Sequence, residues 1–61
     1  MNKMIDYKKL QIIMKQVEEC AQKAQLECNK EHPDIVILCD SCIEDIGNLL
    51  SEAERCIYTL D

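Results

Sequence analysis

The sequence predicts an all-α fold: an antiparallel hairpin of two long helices, self-associating into a dimeric four-helix bundle. Three observations predict it. Apolar residues step by three and four through the first half at Tyr7, Leu10, Met14, Val17, Ala21, Ala24 and Cys28. They do so again through the second half at Ile35, Cys39, Cys42, Ile46, Leu49, Ala53, Cys56 and Leu60. That spacing places each set on one face of a helix with 3.6 residues per turn. Between the two sets, His32-Pro33-Asp34 stops one helix and starts the next. Lastly, Val36, Ile43, Leu50 and Ile57 form a second stripe, one position beyond the seam of helix 2. A two-helix hairpin needs one seam per helix, whereas a wider apolar face suits a four-helix bundle. The second stripe is therefore the expected dimer interface, with a second copy of the chain as its cover.

The elements follow in order within one domain, 1–61. Helix 1 is expected over about 3–30, with Asn2 as its N-cap and Asp6 in its first turns. Lys23 and Lys30 lie toward its C-terminal end, where positive charge suits the helix dipole. The loop is expected at about 31–33. Pro33 fits the first position of helix 2, where a missing N–H costs nothing, and Asp34 favours the same start. Helix 2 then runs over about 33–60. Ile35-Val36-Ile37-Leu38 also reads as a short buried strand, but the heptad continues through it, which favours helix. Gly47 falls at an outward position and costs helix 2 about 1 kcal/mol relative to alanine.

Composition excludes several functions. Sixty-one residues bury a small core, and chains of this size generally need a staple or a partner. Tyr7 and Tyr58 are the only aromatic residues, so stacking platforms for bases are missing. The net charge of −5 is unevenly split: residues 1–31 carry +1 and residues 32–61 carry −6. An acidic half argues against nucleic acid and against anionic membranes as the main partner. No apolar run approaches the roughly 18 residues that span a bilayer, and no leader-type apolar stretch is seen. With an odd count of five cysteines, this predicts an intracellular, reducing compartment, the cytoplasm.

The cysteines are the one group with possible chemistry. All five fall at core positions of the heptad, where free cysteine packs as a small hydrophobe. The alternative is a thiolate site for copper or zinc built on Cys28, Cys39 and Cys42. His32 does not complete it, because it lies about ten helical rises, roughly 15 Å, from Cys42. Cys39 and Cys42 lie inside helix 2 beside Asp40, Glu44 and Asp45, which is not the helix N-terminus that activates a C-x-x-C thiol. No cofactor is expected. Catalysis has nothing else to stand on: there is no glycine-rich loop, no metalloprotease motif and no histidine near a serine.

Short stretches resemble known families. The layout, with Leu38-Cys39-Asp40-Ser41, is similar to that of the plasmid copy-number protein Rop, which implies a dimer of hairpins. Its size also resembles that of the small sporulation phosphatases, although Ser41-Cys42-Ile43-Glu44-Asp45 keeps only the serine and the aspartate of their motif. Leu38-Cys39-Asp40-Ser41-Cys42-Ile43 resembles one knuckle of the zinc domain of ClpX-type unfoldases, without the other pair of cysteines. The residues themselves predict a small, non-enzymatic protein-binding module, a regulator, inhibitor or co-chaperone, acting as a homodimer. Its expected partner surface is on helix 1, at Ile5, Ile12, Ile13 and Leu26 with Lys8 and Lys15 beside them. An apolar centre with a polar rim matches the anatomy of a protein interface.

Overall fold

A computed structural model describes the backbone of residues 2–60 and the side chains of residues 3–58. Two helices pack against each other as a hairpin, and a short two-stranded sheet ties their far ends together. The order is β1 (Asn2–Ile5), α1 (Tyr7–Cys28), a π-helical segment (Ile37–Ile43), α2 (Glu44–Glu54) and β2 (Ile57–Leu60). Residues 35 and 36 form a helical lead-in, so the second helical run spans 35–54.

The chain is mostly helical, as expected, but the sheet replaces both outer helix ends. Helix 1 does not extend back to residue 3, nor helix 2 on to residue 60. β1 and β2 pair antiparallel instead, with Ile5 opposite Ile57 and Asn2 opposite Leu60. Ile57-Tyr58-Thr59-Leu60 is rich in β-branched and aromatic types that suit a pleated surface. The second helical run closes with i→i−3 bonds from Arg55 N to Glu52 O (3.1 Å) and Cys56 N to Ala53 O (3.0 Å). Asp6 joins strand to helix. Its amide donates to Cys56 O at 2.9 Å, and its carboxylate accepts from Lys9 N at 3.2 Å. The N-cap of α1 is therefore Asp6, and Asn2 lies in β1.

The turn is longer than expected, at 29–34. Asp34 is the cap of the second helical run: its Oδ1 accepts from Val36 N at 2.9 Å and Ile37 N at 3.3 Å. Pro33 stands just ahead of that cap, outside the first turn. Glu27 latches the turn from the last turns of α1. Only 5% exposed, it accepts from Lys30 Nζ at 2.9 Å and from Asp34 N at 3.0 Å. Both carboxylate oxygens are satisfied, which is the condition for burying such a group.

The seam lies one residue away from the expected one on helix 1. Ile13 (3% exposed), Ala53 and Cys56 form the core cluster, with Leu10, Val17 and Leu49 packed on it. The inward row is thus Leu10, Ile13, Val17, Cys20, Ala24 and Glu27, again spaced by three and four. Tyr7, Met14 and Cys28 are exposed instead. On the second run, Cys42, Ile46, Leu49, Ala53 and Cys56 face inward as expected, but Ile35 and Cys39 do not. The π turns explain that shift. Glu44 N bonds to Cys39 O, five residues back, and each π turn uses more residues than an α turn. Everything upstream rotates by about one residue, so Leu38 sits where Cys39 would.

The Glu27 latch carries a pH dependence. The amide of Asp34, then the ammonium of Lys30, hold its carboxyl below the ordinary value of 4.5, against the opposing push of burial. A depressed folded-state value adds stability that is present above the ordinary value and lost as pH falls through the depressed one. Thermal melts of the wild type should therefore lose more on acidification below the ordinary value of 4.5 than melts of Glu27→Gln. Equal losses in the two proteins would show that the latch does not contribute.

Candidate interaction surfaces

The two helices give the hairpin two broad faces of opposite character. On each helix, residues one position before the seam turn to one side: Gln16, Glu19 and Lys23 from α1, Ser41, Asp45 and Asn48 from the second run. They rim a shallow groove of about 450 Å³ floored by Cys20 and Leu49. Residues one position after the seam turn to the other side, because a helix advances about 100° per residue. On α1 these are Gln11, Met14, Glu18, Ala21 and Gln25, with Tyr7 in line, and on the second run Ile43, Gly47, Leu50 and Glu54, with Ile57 exposed in β2 beyond them. This second face is open and carries an apolar line, Met14 on α1 and Ile43 and Leu50 on the second run, flanked by Gln11, Glu18 and Glu54. Ile43 is 64% exposed, Leu50 47% and Ile57 48%.

The expected dimer stripe is thus largely present as a line of exposed apolar side chains. Val36 is exposed too, but the π turns rotate it out of line, and Ile35 takes its place above Ile43. Residue types alone carry no signal for that rotation. Beside the line, Gly47 faces open space, with nothing within 4 Å of where a Cβ would stand.

The residues expected to receive a partner on helix 1 are not brought together. Ile13 is core, and Ile5 is half-buried in β1 opposite Ile57. Ile12 and Leu26 are exposed on the outward side of α1 with Lys8 and Lys15. They lie fourteen residues, or about 21 Å, apart along the axis, with Glu19 midway. That row is mixed basic and apolar, not a contiguous patch.

The thiols divide into three environments. Cys42 and Cys56 are fully buried, Cys20 is half-buried, and Cys28 and Cys39 are exposed. Cys56 Sγ donates to Glu52 O at 3.7 Å. Core packing therefore holds for Cys42 and Cys56, but not for Cys28 or Cys39. The trio Cys28, Cys39 and Cys42 does not converge. Among the described residues, no three His, Cys, Asp or Glu side chains gather as a metal site requires. A brief maleimide pulse on native protein should modify Cys28 and Cys39 first and leave Cys42 and Cys56 unmodified, as read by mass spectrometry of peptides. Uniform labelling of all five would contradict this burial pattern.

Among the described residues, no helix is long and apolar enough to cross a membrane. No protein-family model matches the chain, and neither the curated proteins nor the solved structures provide a match.

Proposed function

We propose that this chain is a small non-enzymatic protein-binding module that acts as a homodimer, a four-helix bundle of two hairpins. The observation that carries this reading is the open apolar face of Tyr7, Met14, Ile43, Leu50 and Ile57. The shape supports it. The hairpin is a rod of 53 × 16 × 11 Å, and its accessible surface is 5110 Å². Size scaling gives a compact monomer of 7.1 kDa about 4,100 Å². The surplus, about 1,000 Å², is comparable with one partner's share of a standard interface, about 800 Å². Five free thiols and the acidic second half fit a reducing compartment, the cytoplasm, and a partner that is neither nucleic acid nor membrane.

Once that face is covered by a second copy, the outward row of α1 remains for another protein. Lys8, Ile12, Lys15 and Leu26 would meet a surface that is acidic around apolar points. Light scattering at micromolar concentration should report twice the chain mass; the mass of one chain, with full helicity, overturns the dimer. Affinity capture with Ile12→Asp and Glu44→Lys, each still dimeric, tests the second surface. Only Ile12→Asp should release the captured protein. Retention by Ile12→Asp would rule out docking on α1.

A further inference from the structure

We infer that the second copy covers the apolar face with the two-fold axis parallel to the helices, so that both turns lie at one end of the bundle. This rests on the dimer proposed above and adds its topology. A two-fold that packs one face onto the same face of another copy lies in the plane of contact. For a hairpin, two such axes preserve helix packing. An axis across the helices stacks α1 on α1 and the second run on the second run, with the turns at opposite ends. An axis along them stacks α1 of each copy on the second run of its partner, with the turns together.

Charge separates the two. Residues 32–61 carry −6 and residues 1–31 carry +1. The outward row of the second run beside the apolar line includes Glu54, one turn beyond Leu50, and Glu44, next to Ile43. The corresponding row of α1 is Gln11, Glu18 and Gln25, with Lys15 behind it. Helices in contact stand 8–10 Å apart, about one Debye length at physiological salt. The crosswise axis would hold two acidic helices at that distance along their full length. The lengthwise axis sets each acidic helix against a near-neutral, lysine-bearing one. Helix directions alternate between neighbours in both forms, so the helix dipoles do not favour either.

Two native lysines report the difference. Lys30 sits at the turn, its side chain largely exposed, and Lys8 lies 22 residues earlier in the first turn of α1, about 33 Å away along the axis. Equal amounts of ¹⁴N and ¹⁵N protein are mixed, allowed to exchange and treated with a short-spacer amine cross-linker. Mass spectrometry then identifies peptides that carry one chain of each label. The lengthwise axis yields a mixed-label Lys30–Lys30 product. A dimer lacking that product, whether it gives Lys30–Lys8 instead or no cross-link at Lys30, overturns the arrangement while leaving the dimer itself intact. A single-chain mass in light scattering overturns the dimer and the arrangement together.

Discussion

Replacing Ile13 by alanine is expected to cost about 2–5 kcal/mol, the range for truncating a buried large aliphatic residue. Ile13 is 3% exposed and packs on Ala53 of α2 and on Cys56 just beyond it, with Leu10, Val17 and Leu49 closing the layer. The core is small, so its neighbours have little freedom to collapse into the space. At about 0.05–0.15 kcal/mol per residue, a chain of this length holds only some 3–9 kcal/mol in total. Urea titration followed by helix circular dichroism should show the variant largely unfolded or close to it. Met14→Ala is the control, made in a background that cannot dimerise. Met14 lies outside the seam of a single chain, so its loss there should cost under about 1 kcal/mol, as for surface positions. Equal costs at the two positions would show that the seam runs elsewhere.

Ile43→Lys is expected to separate the dimer while leaving each hairpin folded. The side chain is 64% exposed in one chain and has no place in the core cluster, so the hairpin does not depend on it. Across a two-fold interface the change occurs twice. Each isoleucine buried by the partner contributes about 1.5–3 kcal/mol, and two together about 3–6 kcal/mol. At about 1.4 kcal/mol per tenfold, the dissociation constant should rise by two to four orders of magnitude. Sedimentation equilibrium reads that shift, and unchanged circular dichroism confirms that the hairpin survives. Leu50→Lys should behave alike. An unchanged dissociation constant in both variants would remove this face from the interface.

The hairpin, the break near Pro33 and the inward row of α2 were legible in the heptad and the turn residues. The register of helix 1 was not. Two heptads share Leu10, Val17 and Ala24, and they differ only in whether Ile13, Cys20 and Glu27 or Tyr7, Met14, Ala21 and Cys28 complete the row. A glutamate in an inward row hides that row from an apolar count. Glu27 belongs there because the turn, far away in the pattern, supplies the amide of Asp34 as its partner. The π turns were equally hidden. Asp34 is held at one end by Glu27 and Cys42 is fixed in the core at the other, and the segment between them contains one residue more than α-turns accommodate. No residue type in Ile37–Ile43 encodes that. Ile57-Tyr58-Thr59-Leu60 carries strand-favouring residues, but Leu60 also continues the helical spacing from Cys56, so the pattern there reads as helix. Of the candidate surface, the exposed line through Ile43 and Leu50 was readable from spacing alone, whereas spacing did not show that Ile13 of the helix-1 set is core and Ile5 lies in β1, which leaves Ile12 and Leu26 with Lys8 and Lys15 on the outward side.

A helical hairpin usually loosens from its tips, where amide hydrogens exchange with water first. Here both tips are tied, one by the β1–β2 ribbon and the other by the Glu27 carboxylate. The π-helical turns of Ile37–Ile43, close to the tied turn, are the one departure from regular α-helical bonding among the described helical residues. Cys42, fully enclosed at rest, sits inside that segment, while Cys56 stands between α2 and β2, packed with Ile13 and Ala53, its carbonyl accepting from Asp6 N. The two buried thiols should therefore age at different rates. Cys42 is expected to label through local opening of its own turns, and Cys56 only once its bond to Asp6 and its contacts with Ile13 and Ala53 open.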